Sequence, residues 1–486
     1  VQAELQFSGA TMLKSWGLAA AVSALAVSTW AQPVSAPVTP PSTVWSIPDD
    51  AEIRRILIDR IDVRRQGVGI VVGVIDAHGR RVVSYGDASK GSPRPLNGDT
   101  VFEIGSITKV FTSLVLSDMA QRGEVSLDDP IAKYLPAGMA LPRRGDRNIT
   151  LVDLATQSSG LPRMPTNFAP KDTNNPYADY TKDQLYAFLG TYVLPRDIGS
   201  QYEYSNVGVA LLGDVLARRA GVDYETLVKQ RIMGPLGMES TSIKLSPQMA
   251  ARLATGYTPD LQPTANWDLP TFAGAGGLHS SANDLLTFLA AELGYEPRPL
   301  SAAMKAQLGL RRPTTISNTQ IALGWHITTR PDGEVVWHNG GTGGYRTFMG
   351  FDPRARIGVV VLTNVGNEVG GDDIARHLLT GAPLAVWAPP SEHTAIDLDE
   401  TTLGRLVGRY ELTPAVIIDV TLVGRQLFAQ LTGQQKFEVF PETKTRIFWR
   451  VVDAQADFAV GPDGRATMLT LHQHGRDMPA RRVDPN

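Results

Sequence analysis

Cysteine is absent from all 486 residues, which excludes disulfides, a thiolate nucleophile, thiolate zinc or iron–sulfur ligation, and lipid attachment through sulfur. Any nucleophile is therefore an oxygen or a nitrogen. A surplus of one charge is missing as well. Basic residues number 46 against 49 acidic ones, a net charge of -3, so the basic excess that a phosphate backbone demands is lacking and a nucleic-acid partner is disfavoured. The apolar run at residues 16–27 falls short of the ~20 residues needed to span a bilayer, which argues against a stable membrane span. What is present is 43% hydrophobic against 20% charged residues, enough to bury cores. The length suggests about three structural units at roughly 100–200 residues each.

The N-terminal stretch reads as an address. Lys14, the apolar run and the small-x-small Thr29-Trp30-Ala31 predict a cleavable signal peptide over residues 1–31, with cleavage after Ala31 and a periplasmic or secreted product. Residues 32–48, rich in Pro, Ser and Thr, read as a linker. From residue 49 to about 384 the pattern changes. Ile53, Ile56, Leu57 and Ile61 recur at helical spacing behind a polar cap, and two β-branched runs at 69–76 and 81–86 flank an Ala-His-Gly-Arg turn. Apolar helices are expected at 107–121, 207–220 and 283–291. A second hairpin follows at 345–352 and 357–363, then a helix at 372–379. Strands at both ends with helices between predict an α+β domain, an antiparallel sheet flanked by helices. A second linker at 385–397 precedes a tail, residues 398–486, with six short strands between Gly-containing turns, the signature of a small β-barrel or sandwich.

Three segments carry chemistry. Ser106-Ile107-Thr108-Lys109 opens the first long helix. Residues at i and i+3 share a face, so the Lys109 amine can reach the Ser106 hydroxyl, and an amine stripped of water can be neutral enough to take its proton. The helix N-terminus favours the negative charge that develops there. In Tyr204-Ser205-Asn206, an extended backbone would put phenol and amide on one side, a proton shuttle beside an orienting amide; a turn that caps the next helix is the alternative. Tyr202 reads as packing. His338-Asn339-Gly340-Gly341 leads a run with four glycines in five positions, where a backbone N–H can stay exposed at a strand edge and pair with that of Ser106 to hold an oxyanion. The run lacks the spacing of a dinucleotide or phosphate loop. His78 at a turn tip and the His472/His474 pair carry no assigned role, no metal or cofactor is called for, and Arg346 reads as a surface ion pair.

Ser-x-x-Lys, Tyr-x-Asn and a basic-x-Gly strand in this order resemble the penicillin-recognising serine hydrolases, nearest to the class C β-lactamase-like group. In the third motif His338 stands where many members have lysine, a form similar to that of D-aminopeptidases, D-alanyl-D-alanine carboxypeptidases and related carboxylesterases. Residues 154–162, with Gln157 where many relatives have His, and 275–280 extend the likeness, which spans about residues 50–380. It implies a β-lactamase-like sheet with an inserted helical lobe and a cleft between them. It implies catalytic Ser106, Lys109 and Tyr204, with Asn206, His338, Gly340 and Gly341 binding substrate. The 163–180 loop is expected to rim the cleft and to offer Phe168, Tyr177 and Tyr180 to a substrate. His338, titrating near neutrality, is expected to make activity pH-dependent. The tail resembles a small β-barrel domain appended to such enzymes.

Three functions compete: hydrolysis of a β-lactam or D-residue amide through an acyl-enzyme, hydrolysis of an ester or lactone by the same residues, and non-catalytic binding. The partner in the first two is a small-molecule or peptide substrate.

Overall fold

A computed structural model describes residues 45–295, 299–367, 370–385, 393–413, 416–432, 436–450, 454–473 and 476–483. The expected signal peptide, its cleavage site, the first linker up to residue 44, residues 386–392 of the second linker and His474 lie outside the described residues. Eight strands, Gly69–Asp76 (β1), Gly79–Gly86 (β2), Arg312–Pro313 (β3), Thr319–Ile321 (β4), His326–Arg330 (β5), Gly333–Gly341 (β6), Arg346–Asp352 (β7) and Ile357–Thr363 (β8), form one antiparallel sheet in the order β2-β1-β8-β7-β6-β5-β4-β3. The first turn is tighter than the sequence suggested. Gly79, at φ +119°, already pairs with Asp76, which leaves Ala77 and exposed His78 as the tip.

Side chains alternate across a pleated sheet, and here both faces are covered. Val71, Ile75, Met349, Phe351, Val360 and Leu362 enter one core, which is shared with the helices Thr108–Gln121 and Ala282–Glu292 and with the lobe of residues 122–281. Ile70, Val72, Val74, Phe348, Val359 and Val361 enter a second core, against helices Asp50–Ile58 (α1) and Asp372–Thr380. Each such side chain, fully buried, contributes about 1.5–3 kcal/mol. α1 starts where the Asp49 carboxylate accepts from the Glu52 N–H. Thr108–Gln121 (α2) is buried from Thr108 through Met119, as a helix enclosed between sheet and lobe must be. Asn206–Ala220 (α3) is closed at its C-terminus by Gly221 at φ +72°. Ala282–Glu292 is α4 and Asp372–Thr380 is α5.

The tail closes into an eight-stranded barrel, Gly408–Thr413 (β9), Val416–Val423 (β10), Gln426–Leu431 (β11), Lys436–Pro441 (β12), Arg446–Trp449 (β13), Ala454–Val460 (β14), Ala466–Gln473 (β15) and Arg476–Arg482 (β16). Sequence patterning gives six of these. The missed pair, β9 and β16, joins the ends through Tyr410↔Arg482 and Glu411↔Arg481. Tyr410, Ile418, Val420, Leu427, Val439, Ile447 and Leu469 fill the inside with a core of their own.

Candidate active site

Ser106 lies in a 3₁₀ turn, Gly105–Ile107, that runs directly into α2, so its hydroxyl stands at the helix N-terminus. The turn is fixed by β6. Gly105 has φ +50°, and a Cβ on it would lie 2.7 Å from the Gly341 amide nitrogen. A Cβ on Gly340 would lie 2.0 Å from the Ile104 carbonyl oxygen, which instead accepts a hydrogen bond from Thr347 Oγ1 at 2.9 Å. Two glycines thus press the end of β6 against the mouth of α2. Beyond Trp337 this end has no partner in β5, whose pairing covers residues 333–337, so its edge meets the Ser106 turn rather than another strand.

Lys109 is fully buried. Its Nζ lies 2.8 Å from Ser106 Oγ and donates to the Ala275 carbonyl at 2.6 Å. Burial, with the charge of Arg163 nearby, holds its pKa well below the ordinary lysine value. The Ala275 segment is pinned to the same helix by Thr112, whose hydroxyl donates to the Gly274 carbonyl at 2.6 Å. The Tyr204 ring centroid is 4.9 Å from Lys109 Nζ. Burial raises the phenol to about 12, against the pull of the Ser106 hydroxyl and the Arg163 charge. At neutral pH the site therefore holds a neutral phenol beside an amine that gives up its proton far more readily than a free lysine.

Tyr204 does not sit on a strand. Ser205 caps α3, its Oγ accepting from the Gly208 N–H, and Asn206 is the first helical residue. The capping turn, rather than the extended pair, is the observed arrangement. The Asn206 amide donates to Met164 Sδ at 3.7 Å, and Lys109 takes Ala275 as its second partner; among the described residues no hydrogen bond joins Asn206 to Lys109. What holds Tyr204 is Gln157, at φ +57°, whose side-chain oxygen accepts from the Ser205 N–H at 2.7 Å and whose carbonyl accepts from the Glu203 N–H at 2.8 Å.

His338 departs furthest from expectation. It is 1% exposed, and burial, followed by the neighbouring His326 and Lys109, pushes its pKa well below that of a free imidazole. It stays neutral through the physiological range rather than titrating near pH 7. Nδ1 lies 2.6 Å from the Asn339 carbonyl, which can only accept, so Nδ1 carries the proton and Nε2 is the acceptor. His326, held near a pKa of about 4, stacks on Trp337 and bonds to Tyr202 through Nε2 at 3.0 Å.

A cleft of about 1050 Å³ opens from Ser106 past Tyr204, Gly340 and Gly341. Three of its residues were missed or misread. Tyr202 lines it rather than only packing. Arg346 lines it too, its guanidinium lying over Gly341 and its Nε donating to the Asn367 carbonyl at 2.7 Å. Arg163 stands with its Cζ 5.3 Å from the Tyr204 ring centroid; its only sequence signal was a place just after Gly160-Leu161-Pro162. On the other side of Ser106 a small cavity is lined by Asn206, Tyr177, Trp267, Leu269 and Phe272. Of the three loop aromatics, Tyr177 alone lines a cavity wall; Phe168 and Tyr180 pack behind it against Phe272.

A serine, a buried amine and a phenol gathered at a helix mouth beside a glycine strand define an acyl-transferring serine hydrolase. Comparison with known proteins agrees. The beta-lactamase family model matches residues 55–382, and a domain of unknown function, DUF3471, matches residues 392–482. The chain is 31% identical over 353 residues to the D-alanyl-D-alanine-carboxypeptidase/endopeptidase AmpH of Escherichia coli, covering 68% of this chain and 90% of that one. It is 28% identical over 426 residues to penicillin-binding protein 4* of Bacillus subtilis, covering 82% and 91%. Among solved structures, the beta-lactamase/D-alanine carboxypeptidase of Yersinia pestis superposes with a TM-score of 0.56 at 27% identity, covering 65% of this chain and 94% of that one. A class C beta-lactamase gives 0.60 at 22% identity, covering 70% and 99%. The chain belongs to the beta-lactamase family, within the penicillin-recognising serine hydrolases, and is a serine hydrolase.

Proposed function

We propose that Ser106 is the nucleophile of an exported hydrolase that works through an acyl-enzyme on a β-lactam or a D-residue amide. The observation that carries this is the 2.8 Å contact between Ser106 Oγ and the Nζ of a fully buried Lys109. In the first step Oγ bonds to the substrate carbonyl carbon while its proton passes to the Lys109 lone pair. The carbonyl oxygen becomes an oxyanion facing the N–H groups of Ser106 and Gly341 at the positive end of α2. The bond to the leaving nitrogen then breaks, and the proton reaches that nitrogen through the Tyr204 hydroxyl. In the second step water attacks the acyl carbon, gives its proton to the same pair, and Ser106 leaves. Asn206 orients the acyl side, and His338, neutral with Nε2 free to accept, helps hold Tyr204 and the substrate. The names of the relatives support an amide substrate related to D-alanyl peptides.

A second reading, ester or lactone hydrolysis, is favoured by one feature: the third motif offers a neutral imidazole where lysine would give a fixed charge for a substrate carboxylate. Intact-mass measurement after exposure to a penicillin, a D-alanyl amide and a short-chain p-nitrophenyl ester, with Ser106→Ala as control, tests both. An adduct and turnover with the first two support the amide reading. Turnover of the ester alone moves the assignment to esterase, and no adduct on Ser106 with any reagent overturns the catalytic reading. Export and a periplasmic location are proposed on the residue 1–31 pattern; among the described residues no helix is long and apolar enough to cross a membrane.

A further inference from the structure

The chain that delivers Ser106 carries a buried acid that the chemistry of the cleft does not use. Glu103 ends the strand Val101–Glu103, just before the Ser106 turn, and is 3% exposed. Among the described residues no cation pairs with it, whereas the buried Asp153 and Asp118 each meet two arginines. A carboxylate withdrawn from water without a counter-ion is costly unless hydrogen bonds hold it. Burial raises its pKa above the ordinary carboxylate value, and bonds from Asn266 and Trp267 draw it back. Both bonds reach one oxygen: Oε1 accepts from the Asn266 side-chain amide at 2.7 Å and from the Trp267 backbone N–H at 2.8 Å.

Those two bonds tie the nucleophile's strand to the turn beyond Gly341. Asn266 also donates to the Tyr345 hydroxyl at 3.0 Å, which itself donates to the Ala254 carbonyl at 2.6 Å. The Tyr345 carbonyl accepts from the Thr342 N–H at 3.1 Å and so closes the turn that leaves β6 directly after Gly341. Trp267 bears on the same turn, since a Cβ on Gly343 would lie 2.8 Å from its Nε1. On the nucleophile's side, Glu103 pairs with His279, and the Phe102 ring meets the Tyr345 ring edge to face at 6.3 Å. An oxyanion hole works only when its two N–H groups keep a fixed spacing. Here they belong to Ser106 and Gly341, on segments far apart in the chain. The bond from Thr347 to the Ile104 carbonyl fixes one side of their contact, and the bonds gathered on Glu103 fix the other.

We infer, on the acyl-enzyme reading given above, that Glu103 is a positioning residue. As a hydrogen-bond acceptor it holds the turn after Gly341 and the Trp267 loop against the strand of Ser106, and thereby sets the spacing of the two oxyanion donors. The test uses the full chain and p-nitrophenyl acetate, with kcat and KM measured per active site titrated to completion by a fluorophosphonate and read by intact mass, so that unfolded protein does not count. Glu103→Ala should lower kcat at least about thirtyfold while KM stays within about threefold, because the oxyanion forms only in the transition state. Glu103→Gln, which keeps Oε1 as an acceptor for both donors, should hold kcat within about fivefold of wild type. Asn266→Ala, which removes the link between Glu103 and Tyr345, should reproduce the split of the Ala variant and stands in should Glu103→Ala fail to fold. Wild-type kcat per titrated site in the alanine variants, a change confined to KM, or a Gln variant as slow as the Ala one overturns the inference, while Ser106 labelling leaves the catalytic reading standing. Absence of both labelling and turnover in the wild type overturns the two together.

Discussion

At the scale of single residues, two buried nitrogens decide the behaviour of the site. Lys109 is deprotonated more readily in the fold than in the unfolded chain, where its pKa is near 10.5. Between the lowered value and 10.5 the unfolded state binds more protons, so stability rises with pH across that window. The penalty is complete below the lowered value and gone above 10.5. Lys109→Met should therefore inactivate the enzyme and yet raise its stability at pH 7, the lost bond to the Ala275 carbonyl offsetting about 1 kcal/mol of the gain. Thermal unfolding should show this gain shrinking as pH approaches 10.5; a loss of stability at pH 7 would contradict it. His338 was expected from sequence to set the pH profile, an expectation that burial first, and then His326 and Lys109, cancel. His326 comes from β5 and Lys109 from α2, 229 residues away in the chain, and no local pattern around position 338 reports either. With the imidazole neutral, the acid limb of kcat/KM should belong to Lys109 and should keep its midpoint in His338→Gln even though the rate falls. A limb that moves with that substitution would return the role to His338.

At the scale of elements, what local patterning shows is what local forces determine. The Val- and Ile-rich runs of β1 and β8 stand out because both faces of the sheet are covered, so nearly every position is apolar; α2, half of whose 14 residues are apolar, is enclosed on all sides as well. The Tyr204 segment was ambiguous because Ser205 can continue a strand or cap a helix. The cap is what forms, its Oγ accepting from the Gly208 N–H, and Gln157, nearly fifty residues upstream, fixes the turn. The barrel strand Arg476–Arg482 was illegible for another reason: Arg-Asp-Met-Pro-Ala-Arg-Arg has no apolar alternation, and it is a strand only because β9 and β15 pair with it on either side. The contact between β6 and the mouth of α2 yields a prediction. Gly340→Ala must push the strand off the Ile104 carbonyl, so turnover should fall by about a hundredfold, the loss typical of one misplaced oxyanion donor, with a measurable drop in Tm. Wild-type kinetics in this variant would show that the strand edge is not part of the site.

At the scale of the whole molecule, the body and the barrel have separate hydrophobic cores, one set running from Ile53 to Leu379 and the other from Leu403 to Ala480. We propose the division between them at residues 385–397, where Pro389-Pro390 stands in the sequence. Among the described residues, those that line the two spaces at Ser106 end at Ala385, and none belongs to the barrel. A chain ending at residue 385 should then keep Ser106 labelling and kcat on a small ester within about threefold of the full chain, a margin under 1 kcal/mol. Its mass in solution, measured alongside, reports whether the barrel also supports assembly. Loss of labelling on truncation would place the barrel in the catalytic unit. The central claim, however, is that an uncharged Lys109 arms Ser106, and the rate of fluorophosphonate addition as a function of pH, read by intact mass, tests it most directly. The account predicts one adduct on Ser106, formed at a rate that reaches its plateau well below the pH at which an ordinary lysine loses its proton, and slowed at least a hundredfold in Lys109→Met. A rate that instead climbs toward pH 10 as an ordinary lysine loses its proton, or labelling that ignores the substitution, would contradict it.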